Sequence, residues 1–416
     1  MVIFGIGGIL SDAACAVLRD GRLAAAAEEK KIARRPQSGE LPEQALATCL
    51  AIAGVDPGQV DCVAIVGPFA EAKSDFHLAL RSRFPKARLI VVDHHAAHAA
   101  SAYYPSPFSE AAVLTLDRSG DFRCGARWQA SGNEIEVEKE LYVPDSLGDL
   151  YGRVTEMLGY QPNGDEHKVQ WLSTAGDDRY VAVFDEILAG DWPRMDRSWF
   201  NADRASGFSS RFFRALELDP EAPVPPKLHA HLAAGVQRGI ERAVSRMAGS
   251  AQSLCLAGGL AMNALLISSL ERDREVFVQP AAGNSGTAIG AVLWAWHVVY
   301  GETVRVGLGD MCLGPQFGAE ETKTVLENCK LRFRYFVTSD EVIDLAVQEL
   351  SENHIVAWMQ GRMEFGPRAL GNRSILASPR NPYSTENLNV FIKHREPFRK
   401  FAASVPAELA GEYFET

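Results

Sequence analysis

AAVLTLDRSGDFRCGARWQASGNEIEVEKELYV, residues 111–143, is the stretch that decides the fold. It reads as three β-strands in a row. A run of small and branched apolar residues from Ala111 ends at Asp117, a second run covers RCGARWQA, and the turn Ser131-Gly132-Asn133 leads into EIEVEKELYV as a third. Branched and alternating residues favour strands, and Gly, Asn and Ser collect in turns. The N-terminus carries the same pattern: a strand Val2 to Gly7, then Ala13 to Leu18 and Arg22 to Ala27 around the turn Asp20-Gly21. Asp12 and Asp117 each lie beside the first strand of their triplet.

Helix-period and strand-like segments follow each triplet. After the first come a helix from Pro42 to Ala53, a strand Val60 to Val66, a helix Ala72 to Arg83, a strand Ala87 to Val92 and a helix from His94. After the second come a long helix Leu228 to Met247, a strand Ser253 to Ala257, a helix from Leu260, a strand Val276 to Gln279 and a helix Ser285 to Val299. The expected fold class is α/β with a duplicated βββαβα unit, an order that resembles the actin, Hsp70 and sugar-kinase (ASKHA) superfamily. The expected domains are a first half over 1–110, a second over 111–305 with an insert over 162–227, and a third region over 306–416. The insert lacks clear periodicity, ends in the Pro-rich DPEAPVPPK, and is expected to carry acceptor-recognition loops. In the third region a strand Leu331 to Val337, a helix Asp340 to Glu352 and a strand His354 to Met359 are expected.

At 416 residues the chain has room for two or three domains with full cores. Its 47% hydrophobic and 23% charged content is that of an ordinary globular protein. Lys+Arg 42 against Asp+Glu 53 gives a net charge of −11, which disfavours broad nucleic-acid or anionic-membrane binding. Between Met359 and Ser404 the balance reverses to eight basic residues against three acidic, so any polyanion site is expected to be local. Seven scattered cysteines write neither a disulfide framework nor a CxxC knuckle, and neither a secretion signal nor a transmembrane stretch is found. The expected location is the cytoplasm.

Three segments carry chemistry. In VVDHHAAHAASAYY, His94 and His98 stand four apart on one face of a helix that starts after Asp93, a spacing that lets both imidazoles reach one metal ion, with Asp117 as a candidate third ligand. A helix start capped by Asp93 with locally bonded histidines is the competing reading. Gly258-Gly259 before a helix, and Gly283-Asn284-Ser285-Gly286 some twenty residues later, suit close approach of an anion to a helix N-terminus and together favour a nucleotide cleft. Arg368 and Arg373 lie among Gly and Pro in EFGPRALGNRS, where guanidinium forks suit phosphate.

HHAAHAASAYYPSPF, LCLAGGLAMN, VFVQPAAGNSGTAIGAVL, GRMEFGPRALGNRSILASPR and REPFRKFAASV together resemble the NodU/CmcH family of ATP-dependent O-carbamoyltransferases. The resemblance runs over nearly the whole chain. It implies a duplicated transferase domain followed by a YrdC-like domain, with carbamoyl phosphate and ATP giving carbamoyl-adenylate for transfer to a hydroxyl or amine of a small metabolite. It further implies a divalent metal, Fe or Zn, on His94, His98 and Asp117, and catalytic roles for Asp117, Asp12 and Lys168. Nucleotide contacts are implied for Gly258, Gly259, Asn263, Gly283 and Asn284, and phosphate contacts for Arg368 and Arg373.

The departures are specific. Ser11 stands where the family has the His of HDAS, and Asn284 where it has the metal-binding Asp of GDxG. GDEHKVQWLSTAG keeps Lys168 and little else of its family segment, and Lys30, Lys31, Arg34 and Arg35 sit in altered context. Family chains continue past the REPFRKFAASV element, so the YrdC-like domain is expected to be partial. These departures support an alternative in which the chain is a non-catalytic, nucleotide-binding homologue of an intact paralogue. The expected partners are a small-molecule acceptor and a second copy or a paralogue, with no nucleic acid and no membrane.

Overall fold

The computed structural model describes residues 1–33, 38–67, 76–120, 122–204 and 206–414. Strands β1 (Val2–Gly7), β2 (Ala14–Arg19) and β3 (Arg22–Glu28) form an antiparallel meander, followed by helices α1 (Glu29–Ile32) and α2 (Glu43–Ala53), strand β4 (Cys62–Val66), helix α3 (Phe76–Arg83), strand β5 (Arg88–Val92) and helix α4 (His94–Tyr103). The expected helix start at Ala72, like Arg34 and Arg35, lies outside the described residues. A second meander, β6 (Glu110–Gly120), β7 (Arg123–Ser131) and β8 (Glu134–Tyr142), leads to helices α5 (Leu147–Met157), α6 (Glu166–Ser173), α7 (Val181–Ile187), α8 (Ser210–Ala215) and α9 (His229–Ala248). Strand β9 (Ser253–Ala257), helix α10 (Ala264–Leu270), strand β10 (Glu275–Val278) and helix α11 (Thr287–Trp294) complete this part.

The two five-stranded sheets have one topology. Their orders are β3-β2-β1-β4-β5 and, read in the same direction, β8-β7-β6-β9-β10. In each, the meander is antiparallel and the last two strands run parallel to the first of the triplet. Both faces of the inner strands are buried, and residues partition by the two-residue period of a strand. In the first sheet Phe4, Ile6, Cys15 and Val17 pack in one cluster around α2, while Ile3, Ala14, Ala16 and Leu18 pack in another with α4 and α11. In the second sheet Ala112, Leu114 and Leu116 face α5 and α9, and Ala111 and Val113 face α4.

The inner helices are exchanged between the halves. Helix α4, which follows the first sheet, packs on β6, β7 and β9, whereas α11, which follows the second, packs on β1, β2 and β4. The two pack on each other and are rich in alanine, HHAAHAASAY and TAIGAVLW. At their crossing a Cβ on Gly290 would lie 1.8 Å from the Ala97 carbonyl oxygen, so that position admits only glycine.

Some expectations need correction. The first glycine loop runs into a 3₁₀ turn, Gly259–Met262, and α10 begins only at Ala264, with the Asn263 side chain as its N-cap accepting from Leu266 N at 3.1 Å. The expected helix Ser285 to Val299 is a 3₁₀ turn at Asn284–Gly286, then α11, then a π-helical turn at Ala295–Val299. The aperiodic insert holds α6, α7 and α8 and adds Phe184, Trp199, Phe208 and Phe212 to the core. Leu331 to Val337 forms no strand. Its alternating Leu331, Phe333, Tyr335 and Val337 are exposed, and an extended segment without a hydrogen-bonded neighbour is not a sheet element.

The chain divides into two compact units, Met1–Phe333 with Trp358–Ser374, and Arg334–Ala357 with Ile375–Thr416. The first contains both sheets and helix α12 (Ala319–Asn328). In the second, helix α13 (Ser339–Ser351) is closed by a Thr338–Glu341 capping box, yet among its described residues only Leu388 and Asn389 are buried. Strands β11 (Val356–Met359) and β12 (Arg373–Leu376) form a separate two-stranded sheet. Five of the seven cysteines are buried, and burial pushes the Cys49, Cys124 and Cys255 thiols up to about 12. Among the described residues no helix is long and apolar enough to cross a membrane.

Replacing Gly290 with Ala should lower stability by about 3 kcal/mol, at the upper end of an overpacked core substitution, because backbone rather than a movable side chain occupies the space. Gly58→Ala, where nothing lies within 4 Å of the new methyl, should stay within about 0.5 kcal/mol of the parent. Urea denaturation of the two variants reads the difference.

Candidate active site

The site grows from the start of α4. Asp93, at the end of β5, accepts a hydrogen bond from Ala96 N at 2.9 Å and so fixes the first turn, while its other oxygen pairs with Arg123. With the helix starting at His94, the four-residue spacing sets His94 and His98 on one face, ring centroids 4.7 Å apart and edge-on. Asp93 is the cap that the second of the two sequence readings expects, and the imidazoles of the first still converge.

They converge on Asp117. Its Oδ2 lies 3.0 Å from His94 Nε2 and 3.2 Å from His98 Nε2. Its Oδ1 accepts from Arg118 N at 3.0 Å and Gly259 N at 3.3 Å. A Cβ on Gly259 would lie 3.0 Å from that oxygen, and one on Gly120 would lie 2.2 Å from the His94 ring, so both glycines permit the close approach. Burial pushes the Asp117 carboxyl up, but the hydrogen bonds from His94 and His98 more than offset it and hold the group well below the usual carboxylate range. Burial drives the His98 imidazole down, against the opposing pull of Asp117. The arrangement is an ionised carboxylate between two imidazoles whose ligand atoms lie within 4.8 Å of one another.

His95 faces away. Its Nδ1 is 2.9 Å from Thr115 Oγ1, and burial, aided by His94 and His98, holds its imidazole down at about 3.

Two loops close on the cluster. Gly258, at φ 97, sits where a Cβ would come 2.2 Å from the Leu116 carbonyl oxygen, and its N–H donates to Ala282 O at 2.8 Å, which ties the two glycine loops together. In the second loop Asn284 donates from Nδ2 to Ser11 Oγ at 2.8 Å, while its Oδ1 is buried with no hydrogen-bond partner. The Asn284 carboxamide stands close enough to His98 to bias that ring towards protonation, and His98 Nδ1 is likewise buried and unpartnered. Two imidazoles, one carboxylate and an unsatisfied amide oxygen are a donor set that fits a divalent cation such as Fe or Zn.

The remaining predicted residues are spread more widely. Asn263 is committed to capping α10 and to a paired amide contact with Gln237, at 2.8 and 3.1 Å. Asp12 lies half-buried just after Ser11, with Lys30 Nζ at 2.8 Å. Lys168 pairs with Asp165 at 3.1 Å and lies over the Tyr160 ring at 5.4 Å. Arg373 directs its guanidinium to the carbonyls of Gln360, Gly361 and Asn372, and Arg368 is exposed. A cavity of about 590 Å³ beside that loop is lined by Arg362 and Asn372, together with Leu23, Asp310 and Cys312, and by neither Arg368 nor Arg373.

Sequence reasoning passed over three groups. Arg118, next to Asp117, pairs with Asp149 at 3.0 Å and reaches Asn163 at 2.8 Å. Buried Glu364 accepts on one oxygen from Leu370 N, Asn372 N and Arg373 N at 2.8–2.9 Å, which shapes the EFGPRALGNR loop from within. Glu28, paired with Lys31, accepts from Gly366 N at 3.1 Å and fastens the same loop to the end of β3. The signal for Glu364 was present, since a loop so rich in Gly and Pro exposes N–H groups that need an acceptor.

Family models described as carbamoyltransferase N-terminus and carbamoyltransferase C-terminus match residues 75–293 and 347–416. An uncharacterized protein of Synechocystis is 33% identical over 99% of this chain and 77% of its own length. The nodulation protein NolNO of Sinorhizobium fredii is 32% identical over 98% of this chain and 64% of its length, and NolO of Bradyrhizobium diazoefficiens is 34% identical over 78% and 60%. The chain thus spans less than two thirds of both nodulation proteins. Among solved structures, component A of the Acidaminococcus fermentans (R)-2-hydroxyglutaryl-CoA dehydratase overlays with a TM-score of 0.45 at 14% identity, covering 71% of this chain and 97% of that one.

Histidine burial gives the site a signature in stability. An unfolded chain protonates His95 as the pH falls through its ordinary 6.5, whereas the folded chain holds it neutral down to about 3, so stability present above pH 6.5 is lost as the pH falls below it. Between pH 6.5 and pH 5 this one group should remove about 2 kcal/mol of unfolding free energy. Urea denaturation at both pH values should show a shallower loss for His95→Gln, and an equal loss in parent and variant would locate the effect elsewhere.

Proposed function

Because the chain belongs to the carbamoyltransferase family, we propose that it transfers a carbamoyl group to a hydroxyl or amine of a small metabolite, using ATP and carbamoyl phosphate to form a carbamoyl-adenylate donor. The observation that carries the reading is the placement of His94, His98 and Asp117 at the carboxyl ends of β5 and β6, beside the glycine loops that follow β9 and β10. Ligands of open α/β sheets bind at such strand ends. On this reading the twin sheets are an ASKHA-type pair spanning 1–110 and 111–305, the stretch 162–227 contributes to acceptor recognition, and 306–416 belongs to a YrdC-like domain in which Arg368 and Arg373 meet phosphate.

In the transfer step the acceptor oxygen or nitrogen attacks the carbamoyl carbon, the bond from that carbon to the adenylate phosphate oxygen breaks, and AMP leaves. The acceptor's proton passes to a carboxylate, Asp117 within the cluster or Asp12 next to Ser11. Asp117 is suited to hold a fixed orientation, because backbone N–H groups of Arg118 and Gly259 pin one oxygen and leave the other facing the imidazoles. Gly258, Gly259, Gly283 and the first turn of α11 would receive the nucleotide, with backbone N–H groups towards its phosphates. His94, His98 and Asp117 would hold a divalent cation, with Asn284 Oδ1 beside them, and such an ion supplies Lewis-acid polarisation of the group being transferred. Asn263, already bonded to Gln237, would act by holding the start of α10 in place, and Lys168 by its charge at the edge of the second sheet's helices.

A second reading is favoured by Arg373, whose guanidinium is satisfied by carbonyls of its own loop, and by the amide at position 284. On it the chain binds nucleotide without turnover and partners an intact paralogue. One assay separates the two. Purified protein supplied with ATP should release pyrophosphate only when carbamoyl phosphate is added, AMP following as the carbamoyl group passes to an acceptor or to water, and Asp117→Asn should slow the AMP release by about 10² or more. Retained ATP binding with no pyrophosphate under any of these conditions would leave the second reading standing alone.

A further inference from the structure

Asn284 and Ser11 are two positions at which the chain departs from what the family resemblance implies. The structure joins the two departures through the hydrogen bond from Asn284 Nδ2 to Ser11 Oγ, 2.8 Å across residues 273 apart in sequence. Local backbone holds both ends. Ser11 closes a turn by donating its N–H to Gly8 O at 2.9 Å, and Gly8 adopts φ 65, where a Cβ would come within 2.4 Å of the Asp12 carbonyl oxygen and 3.1 Å of the Asn284 carbonyl oxygen. Asn284 in turn receives the Thr287 hydroxyl on its backbone carbonyl at 2.6 Å, which fixes the turn into α11.

An amide has two different ends. If Nδ2 points outward to Ser11, Oδ1 points the other way, and there it is buried without a hydrogen-bond partner, on the side of His98. A buried carbonyl oxygen without a donor is unfavourable unless something positive meets it. An amide ligand also needs its N–H₂ group accommodated, since an amide turned over would present donors to a cation. We propose that Ser11 is a positioning residue that holds Asn284 by Nδ2 and so presents Oδ1 as a neutral oxygen ligand to a divalent cation bound by His94, His98 and Asp117. This inference rests on the metal-assisted reading of the same site and specifies how this chain meets that metal with one carboxylate instead of two. Outer partners of this type orient first ligands, and their loss typically lowers metal affinity by about 10–100-fold.

Co(II) is the probe, followed by its visible d–d absorption and by calorimetric titration of the full chain. Ser11→Ala should weaken Co(II) binding by about 10–100-fold and alter the absorption bands, while Ser11→Thr, which keeps the hydroxyl, should restore both. In an Asn284→Ala background the Ser11→Ala change should have no further effect, because its target is gone. Ser11 is exposed, so the variants are expected to fold, and matching circular dichroism checks this. Co(II) binding lost in His94→Ala but unchanged in affinity and spectrum in Ser11→Ala would overturn the positioning role and leave the metal reading intact. Parent protein that takes up no Co(II), or takes it up equally with His94→Ala, would overturn the metal reading and the inference with it.

Discussion

The contact between α4 and α11 is the constraint on which the site depends. These helices lie between the sheets, each packed on the sheet of the other half, and their alanine-rich faces let the backbones approach until Gly290 meets the Ala97 carbonyl. Ala97 precedes His98, and α11 begins just after Asn284. The approach that buries this apolar seam is therefore the same one that brings His98 and the Asn284 amide together. A larger side chain at the crossing would spread the helices, and because protein interiors are close-packed the displacement would reach the helix starts rather than dissipate. Packing and chemistry share one set of residues here.

Asp117 shows how local polar structure makes the same point electrostatically. A carboxylate in so enclosed a place would ordinarily protonate. It stays ionised because donors approach from two sides, backbone N–H groups on Oδ1 and imidazoles on Oδ2. Two of these four donors come from its own strand and the loop after β9, and the other two from α4, so the charge is stabilised only when the halves are correctly assembled. A fixed, ionised carboxylate is what either a metal ligand or a proton acceptor requires.

Much of this was legible from residue order. The strand triplets were readable because antiparallel meanders leave turn residues at short intervals and because their apolar residues are β-branched or small. The spacing of His94 and His98 translated directly into a shared helical face. What failed did so for identifiable reasons. Leu331, Phe333, Tyr335 and Val337 alternate as a strand would, but alternation specifies a strand only if another strand is there to pair with it, and that information is not local. The apolar residues of Gly259–Met262 suggest a helix from Leu260, although the N-cap preference of Asn at position 263 marks the later start. The Ser11–Asn284 contact could not be read at all, since nothing in either segment names a partner so far along the chain.

The amide at position 284 also bears on what else the cluster could hold. Asp117 is the one anionic group in the set of His94, His98, Asp117 and Asn284, so a divalent cation there would retain a net positive charge, where a second carboxylate would cancel it. That charge would stand near the first turn of α11, whose free N–H groups and dipole also favour an anion. The two effects add at short range in a site that excludes much of the solvent, because screening is weaker where water is scarce. The substitution that weakens the grip on a metal therefore strengthens the attraction for a phosphate-bearing donor. The balance between these opposing effects depends on whether the amide oxygen is aimed at the cation, which returns the question to the hydrogen bond made by its nitrogen.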